Sequence, residues 1–196
     1  AKWGLEQGLD ILVEGPLCIE LTHALEIEKL AKDKGLLVEV GYNSVYHPLF
    51  ERAREVVSNG EIGEPVVAYA TALWKTPPDS WYYLQGPSGG MPLAHLSYNF
   101  NRMRYVMGRP VELMARANQI ARRGEEWVQE ETCVVIFTFA SGALGSLIAS
   151  YAMEEKYPVE GIRVAGTEGS LQVTFERLTV SSPKLTRTTV LAPGHP

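Results

Sequence analysis

The chain of 196 residues has 45% hydrophobic and 21% charged residues, the composition of an ordinary globular protein. Its net charge of −5 disfavours binding to nucleic acid or to a membrane surface, because both require a positive field. No apolar run approaches the ~20 residues of a membrane-spanning helix. Cys18 and Cys133 lack the spacing of metal ligands, so we predict no metal site. We predict a cytoplasmic protein in which both thiols are unpaired.

The first 43 residues contain two apolar runs joined by one short helix. Strands are predicted at Ile11–Val13 and Leu36–Val40, and the helix between them is capped by Thr22 and ends at Gly35. This arrangement is typical of the strand–helix–strand unit of a parallel nucleotide-binding sheet. Such a sheet normally opens with a glycine-rich turn, but the chain has no G-x-G-x-x-G and begins at Ala1 rather than at a methionine. We therefore expect it to be the middle of a longer protein.

Two helices and one strand are expected in the middle of the chain. Pro48 suits the first turn of a helix that ends at Gly60, and His47 is expected to help that helix begin. Val66–Leu73 is typical of a strand. A second helix is predicted from about Leu93 to Met107, where apolar residues recur at alternating spacings of three and four.

The remainder of the chain is predicted to be mostly β-structure. The candidate strands are Val111–Ala117, Cys133–Phe139, Leu144–Tyr151, Ile162–Ala165 and Leu171–Phe175. Ser141-Gly142 and residues 166–169 suit the turns of antiparallel hairpins, and no element is predicted after Ser181. The predicted fold class is therefore α/β over residues 1–43, followed by α+β over residues 44–196, an open and mainly antiparallel sheet with covering helices. We expect a second copy of the chain to cover the open face of this sheet.

Short motifs follow one another in a fixed order along the chain. They are ILVEGPL (residues 11–17), VGYN (40–43), HP (47–48), GEIG (60–63), SGG (88–90), GRPV (108–111) and GTEGS (166–170). In this order and at these distances the series resembles the glucose–fructose oxidoreductase, inositol dehydrogenase and rhizopine catabolism protein (Gfo/Idh/MocA) family. The resemblance covers nearly the whole chain.

The resemblance implies a Rossmann domain followed by an α/β domain with an open sheet. Many members of that family move a hydride between NAD(P) and a hydroxyl carbon of a sugar, polyol or related small molecule. It also implies that residues 1–43 are the C-terminal remnant of the Rossmann domain, that residues 44–196 form the substrate-binding and dimerisation domain, and that the chain ends before the family's usual C-terminal helix.

The resemblance places four residues near the nicotinamide. Glu14, Gly15, Pro16 and Asn43 follow the two parallel strands at their carboxyl edge, where sheets of this kind bind their ligands. They cannot form a dinucleotide site by themselves, because the chain lacks the phosphate-binding turn. NAD or NADP is therefore expected in the complete parent protein, and no cofactor is expected to bind this chain alone.

The family's catalytic residues are replaced in this chain. Its catalytic lysine falls on Gly15, and glycine can neither hold a substrate hydroxyl nor help its proton leave. Its D-x-x-x-H motif falls on Ala94 and Tyr98. Tyr98 is a candidate catalytic residue, although a phenol with an ordinary pKa of about 10 needs strong tuning to act as a base. His95 is the second candidate, because it could replace the lost histidine. For both residues the alternative that we favour is packing or an ordinary hydrogen bond.

Three further residues are candidate substrate contacts. Asn101 is expected to share a helical face with Tyr98. Trp81 and Lys75 flank a proline-rich loop, where an aromatic ring could stack on a sugar-like ligand and a lysine could contact a carboxylate or phosphate. Trp74 beside them has the same interpretation. The alternative is a loop held to the core by its large side chains.

Three hypotheses for the function remain open. We favour a piece of an NAD(P)-dependent oxidoreductase-like protein that acts on a small hydroxy compound, and we expect this piece alone to be inactive. The second hypothesis is a non-catalytic family member that uses the sheet domain for binding or assembly. The third is that another chain supplies the missing half of the Rossmann domain. The expected partners are a small-molecule substrate and a second copy of the chain, with neither nucleic acid nor membrane.

Overall fold

The computed structural model describes residues 1–73, 75–77, 80–83, 88–90, 92–125, 130–153 and 161–191. None of the helices in these residues is both long enough and apolar enough to cross a membrane. The same residues contain no group of three or more His, Cys, Asp or Glu side chains that could hold a metal ion.

The N-terminal unit has two short strands and two helices. Its elements are α1 (Lys2–Glu6), β1 (Ile11–Val13), α2 (Leu21–Lys34) and β2 (Val38–Val40). β1 and β2 pair in parallel, with Ile11 opposite Val38 and Val13 opposite Val40, which confirms the predicted strand–helix–strand unit. β2 is shorter than predicted, because Leu36 still donates its backbone N–H to Ala31 at the end of α2.

Helix α2 ends at the predicted residue but begins earlier than predicted. Gly35 has a φ of 65°, the left-handed conformation that ends many helices. The predicted cap at Thr22 is wrong, because Thr22 lies within the first turn of the helix. Glu20, with φ of −96° and ψ of 130°, is the last residue in an extended conformation and therefore occupies the cap position.

Both helices of the unit pack on the same side of the strand pair. Leu5, Ile27 and Ala31 are buried there, and Ile11 and Val38 pack against them. The two-stranded sheet therefore has one face that its own helices cover.

Among the described residues, two α-helices pack against the main sheet. They are α3 (Pro48–Ser58) and α4 (Ser97–Met107). At the start of α3, His47 accepts a hydrogen bond at Nδ1 from the backbone N–H of Leu49 at 3.4 Å, which confirms its predicted role in beginning the helix. Gly60 follows the end of α3 with a φ of 70°.

The helix predicted from Leu93 to Met107 is wrong in its first turn. Residues Pro92–Leu96 form a π-helical turn, and the α-helix begins only at Ser97. A single π turn shifts the spacing of apolar residues too little for the sequence pattern to reveal it. Such turns are frequent at functional sites.

Within the part of the chain that the structure describes, the main sheet has eight strands. They are β3 (Pro65–Leu73), β4 (Pro110–Asn118), β5 (Thr132–Phe139), β6 (Leu144–Ser150), β7 (Gly161–Gly166), β8 (Ser170–Thr174), β9 (Arg177–Ser181) and β10 (Thr186–Val190). Their order across the sheet is β10-β9-β8-β7-β3-β6-β5-β4. Only β3 and β6 pair in parallel among these neighbours, so the sheet is mainly antiparallel, as predicted.

The prediction missed β9 and β10. Strand β10 (TRTTV) has no buried residue, so no apolar period marks it. Strand β9 does alternate, with Leu178 and Val180 buried, and this short pattern could have revealed it.

The sheet has one buried face and one exposed face. Helices α3 and α4 cover the first, where Phe50, Met103 and Cys133 belong to one core. Cys133 is a free cysteine that is buried in this core. On the opposite face Ile136 and Ile148 are exposed, so this face carries uncovered apolar surface.

Replacement of Gly145 by alanine is expected to destabilise the fold. Gly145 lies on the buried face of β6, where an added Cβ would overlap the ring of Phe137. That ring packs edge-on against Phe100 and Phe139, with centroids 5.5 Å and 5.1 Å away, so it cannot move without disturbing them. We expect a loss of about 1–3 kcal/mol in the free energy of unfolding, measured by urea denaturation.

Ser146→Ala is the matched control, because Ser146 is the next residue of β6 and faces the other side of the sheet. It is expected to change the free energy of unfolding by less than about 0.5 kcal/mol. Equal stability of the two variants would contradict the packing described for Gly145.

Candidate active site

A cavity of about 570 Å³ lies between the N-terminal unit and the helical layer of the sheet. Its described lining comes from the loop after β1, the short helix Trp81–Tyr83, Ser88, and the π turn Pro92–Leu96 with the following α-helix. Each segment is fixed by a different part of the fold, since the first follows a parallel strand and the last begins a packed helix. The cavity therefore exists only when both parts of the chain are in contact.

Tyr98 connects the two sides of this cavity. Its hydroxyl group is hydrogen-bonded to the Glu14 carboxylate and lies 3.0 Å from the carbonyl oxygen of Gly15. Burial, and after it the hydrogen bond to Glu14, raises the pKa of the Tyr98 phenol above its ordinary value of 10.0. The phenol is therefore a hydrogen-bond donor at neutral pH rather than a base.

Gly15 has no room for a side chain. A Cβ at this position would come 2.6 Å from Cε1 of Tyr42, closer than carbon atoms pack. The Tyr42 ring is itself held edge-on against Tyr98, with centroids 5.1 Å apart and planes at 85°. The space beside Gly15, where the resemblance places a lysine, is therefore filled by an aromatic ring from the residues after β2. The Gly15–Pro16 peptide bond is cis.

His95 lines the cavity from the π turn. Its Nδ1 is hydrogen-bonded to the hydroxyl group of Tyr151. The ring of Tyr82 packs against the imidazole, with centroids 4.5 Å apart and planes at 64°. The imidazole is thus held between two aromatic side chains, one of them bonded directly to it.

Arg102 is a charged residue of this site that sequence reasoning missed. Its side chain is buried and lines the cavity. Its Nε donates to Ser44 Oγ at 2.9 Å, its Nη1 donates to Asn99 Oδ1 at 3.0 Å, and its guanidinium lies 4.8 Å from the centroid of the Phe175 ring. On a helix, Arg102 lies about 100° around the axis from Met103 and outside the predicted apolar stripe, so the sequence pattern did not mark it as buried.

Cys18 also lines the cavity and was predicted only as an unpaired thiol. Its Sγ donates to the carbonyl oxygen of Glu20 at 3.2 Å. Nothing in the sequence around it distinguishes it from a surface cysteine.

The structure brings most of the predicted site residues together. Six of them line the 570 Å³ cavity: Glu14, Gly15, Pro16, Trp81, His95 and Tyr98. Two others line different cavities: Asn43 lies in one of about 350 Å³ at the carboxyl ends of β1 and β2, and Asn101 in one of about 630 Å³ beside Tyr105. Lys75 is exposed, forms an isolated β-bridge with Ala152 and does not line any of these three cavities. Trp74 lies outside the residues that the structure describes.

The displacement of Asn101 follows from helix geometry. Each residue of an α-helix turns by about 100°, so a residue three positions after Tyr98 lies about 60° around the axis. That rotation is enough to turn the Asn101 side chain towards α3 and the neighbouring cavity.

The carboxyl ends of β1 and β2 fit one end of a dinucleotide. A Cβ at Gly41 would come 3.4 Å from both the carbonyl oxygen of Val13 and a carboxylate oxygen of Glu14. The backbone that follows β2 therefore lies close to the end of β1. Such an edge of a parallel sheet accepts a flat ring with polar groups around it. The residues present therefore fit the nicotinamide end, whereas the pyrophosphate needs a glycine-rich turn that this sequence does not contain.

Comparison with known proteins gives one consistent result. A family model described as the GFO/IDH/MocA C-terminal domain matches residues 50–172. The chain is 30% identical over 169 residues to myo-inositol 2-dehydrogenase of Thermotoga maritima, which covers 82% of this chain and 48% of that protein. It is 29% identical over 171 residues to the uncharacterized oxidoreductase YrbE of Bacillus subtilis, covering 86% of this chain and 49% of that protein. The chain thus spans about half the length of the curated relatives it matches.

Solved structures share the fold. A levoglucosan dehydrogenase in complex with NADH and levoglucosan superposes with a TM-score of 0.86 at 22% identity, over 98% of this chain and 57% of that one. An inositol dehydrogenase homolog from Azotobacter vinelandii, complexed with NADH and myo-inositol, has a TM-score of 0.85 at 21% identity, over 99% of this chain and 53% of that one.

Stability is expected to fall as the pH rises above 10, in part because of Tyr98. The pKa of its phenol is raised in the folded state, so between the unfolded and folded pKa values the folded state binds more protons. This contribution is fully present below the unfolded pKa and is lost as the pH rises through the folded pKa. Tyr98→Phe should therefore lose less stability than the parent chain between about pH 9 and about pH 11, measured by urea denaturation.

Tyr69→Phe is the control, because that phenol is exposed on the outer face of the sheet. The free energy of unfolding of this variant should depend on pH as it does in the parent chain. If the free energy of unfolding of Tyr98→Phe showed the same pH dependence, the Tyr98 phenol would not titrate as described.

Proposed function

The chain belongs to the GFO/IDH/MocA family of oxidoreductases, and on this premise we propose that it is the substrate-binding part of an NAD(P)-dependent oxidoreductase acting on a sugar, polyol or related small hydroxy compound. Residues 1–43 would be the end of its cofactor domain and residues 44–196 its α/β domain. The observation that carries this proposal is the meeting of β1 and α4 at one cavity, where Glu14, His95 and Tyr98 face the same space.

The cofactor belongs to the complete protein. When bound, NAD or NADP would accept or deliver a hydride. Glu14, Gly15, Pro16 and Asn43 would hold its nicotinamide end, because they lie at the carboxyl edge of the parallel strands. This chain alone is not expected to bind it.

Two side chains have different roles towards the substrate hydroxyl in this proposal. The imidazole of His95 is the group suited to hydrogen-bond the substrate oxygen, since it lines the cavity and is held there by Tyr151 and Tyr82. Tyr98 keeps its proton and holds the end of β1 through Glu14. Tyr98 is therefore an orienting residue in this scheme, and a direct catalytic role for it requires a ligand that displaces Glu14.

Trp81 is the proposed binding surface for the apolar face of a sugar. The indole is 52% exposed and lines the cavity. It stacks on Tyr82 with centroids 4.5 Å apart, and Tyr82 in turn packs against His95. A ring ligand lying on Trp81 would thus be held beside the imidazole.

A non-catalytic binding module is the second candidate. It is favoured by the loss of any side chain at Gly15, whose space Tyr42 fills, and by Ala94 at a position where the family has an acid. In that case the cavity would bind a hydroxylated ligand without turnover.

The open face of the sheet is the proposed contact with a second copy of the chain. Near β4–β6 its exposed residues are apolar, as at Met114, Ile136 and Ile148, whereas towards β9–β10 they are polar, as at Thr179 and Thr188. An uncovered apolar area of this kind marks an association surface. A cytoplasmic location is proposed on the basis of the two free cysteines.

The complete protein is expected to change the fluorescence of NADH or NADPH on binding and to oxidise polyols with the matching oxidised cofactor. His95→Gln should lower kcat/KM by about tenfold, because it removes one oriented hydrogen bond to the substrate oxygen. Tyr98→Phe should lower it by less, since its phenol does not contact the substrate in this scheme. The absence of any fluorescence change with either cofactor would contradict the oxidoreductase proposal and favour the binding module.

Ile136→Glu is expected to convert a dimer into a monomer, because it places a charge in the apolar part of the sheet face. Sedimentation at micromolar concentration measures the change. Thr179→Glu, on the polar part of the same face, should leave the dimer intact. A monomeric parent chain at that concentration would defeat the proposed contact.

A further inference from the structure

Tyr151 is a buried tyrosine that lies directly behind His95. Its side chain is fully buried, with a relative exposure of 0%. Its hydroxyl group is hydrogen-bonded to Nδ1 of His95, and the two rings meet edge-on at 5.4 Å with planes at 89°. Tyr151 follows the last residue of β6, so it joins the cavity to the rigid sheet.

The backbone of Tyr151 is fixed on both sides. Its N–H donates to the carbonyl oxygen of Glu131 at 2.8 Å. Its own carbonyl oxygen accepts from the N–H of Thr76 at 3.2 Å and from the hydroxyl group of Tyr83 at 3.1 Å. The Tyr151 hydroxyl therefore has a position set by the end of the sheet rather than by a mobile loop.

The chemistry of the two partners decides the direction of the hydrogen bond between them. A phenol is a stronger acid than a neutral imidazole N–H, and an imidazole nitrogen is a stronger base than a phenol oxygen. Burial further raises the pKa of Tyr151 above its ordinary value of 10.0, so the hydroxyl keeps its proton. The phenol O–H is thus the donor and Nδ1 of neutral His95 the acceptor.

We propose that Tyr151 is the positioning residue of this site: it holds neutral His95 in the tautomer that carries its proton on Nε2, so that the imidazole offers an N–H to an oxygen atom of a substrate in the cavity. This inference rests on the proposed function for the identity of the ligand, but not for the tautomer. A second ring, that of Tyr82, limits the rotation of the imidazole from its other side.

The proposed tautomer of His95 determines which substrate groups the cavity can bind beside the imidazole. A substrate oxygen that accepts a hydrogen bond, as a hydroxyl or carbonyl oxygen does, would fit at Nε2, whereas an ammonium group would not. Further groups bear on the pH dependence of His95: Glu14, Tyr98 and Arg102 share its cavity, and Glu130 contributes to the raised pKa of Tyr151. The tautomer is therefore best tested directly rather than through a pH profile.

The first test is nuclear magnetic resonance of the chain with ¹⁵N-labelled histidine near neutral pH, with His95→Gln used to assign the signals among the four histidines. We expect Nδ1 of His95 to be unprotonated and Nε2 protonated, and we expect the Tyr151 hydroxyl proton to couple to Nδ1. A protonated Nδ1 would overturn the proposal. This measurement needs only the unsubstituted chain and its assignment variant, so it does not depend on the folding of a Tyr151 variant.

Tyr151→Phe and Tyr83→Phe form a matched pair for the same measurement. Both remove a buried hydroxyl group from the same aromatic cluster, but the hydroxyl of Tyr83 donates to backbone carbonyl oxygens and not to His95. The Nδ1 signal of His95 should shift in Tyr151→Phe and stay in place in Tyr83→Phe. An unshifted signal in Tyr151→Phe would show that its hydroxyl group does not hold the imidazole.

The second test uses the complete protein with myo-inositol as the probe and compares single and double variants. His95→Gln and Tyr151→Phe should each weaken its binding by about tenfold, the effect of one oriented hydrogen bond. Because Tyr151 acts through His95, Tyr151→Phe should have no further effect in the His95→Gln background. A full additional loss there would mean that Tyr151 acts structurally, which overturns the proposal. If the parent protein bound no polyol, the proposed function would fail, while the tautomer measurement would still decide the role of Tyr151.

Discussion

The contact of Tyr98 with the end of β1 is the constraint on which the candidate site depends. The hydroxyl group reaches two consecutive residues, the carboxylate of Glu14 and the carbonyl oxygen of Gly15. One side chain from α4 therefore fixes the distance between the N-terminal unit and the helical layer of the sheet. Since the cavity lies between these two parts, the approach of every other lining side chain to a ligand depends on this contact. Tyr42 supports it, because its ring packs against Tyr98 and fills the space beside Gly15.

The opposite wall of the cavity is aromatic and rests on the sheet. The rings of Trp81, Tyr82, His95 and Tyr151 follow one another in contact, and Tyr83 closes the cluster with a hydrogen bond to the backbone of Tyr151. Aromatic rings that meet edge-on restrict one another's rotation and contribute about 0.5–1.5 kcal/mol per pair beyond their burial. A sugar-like ligand would therefore meet a wall whose shape is set before binding, which lowers the entropy lost on binding.

The residues around the end of β1 fit one another closely. Gly15 has no side chain, and the ring of Tyr42 occupies the space beside it. The side chain of Tyr98 reaches the strand end directly. The imidazole of His95 enters the same cavity from the π turn. In the proposed function, this arrangement favours a ligand held by His95 and by the aromatic wall.

The sequence by itself determined the parallel unit, the central strands of the main sheet and the family, because apolar period, turn residues and motif order are local properties of the chain. It also selected residues such as Glu14 and His95 that the cavity brings together. Only the tertiary structure placed Asn101 in a different cavity, buried Arg102 and added the edge strand β10. These features depend on which distant segments pack against each face of α4 and on strand pairing between distant segments, neither of which leaves a pattern in neighbouring residues.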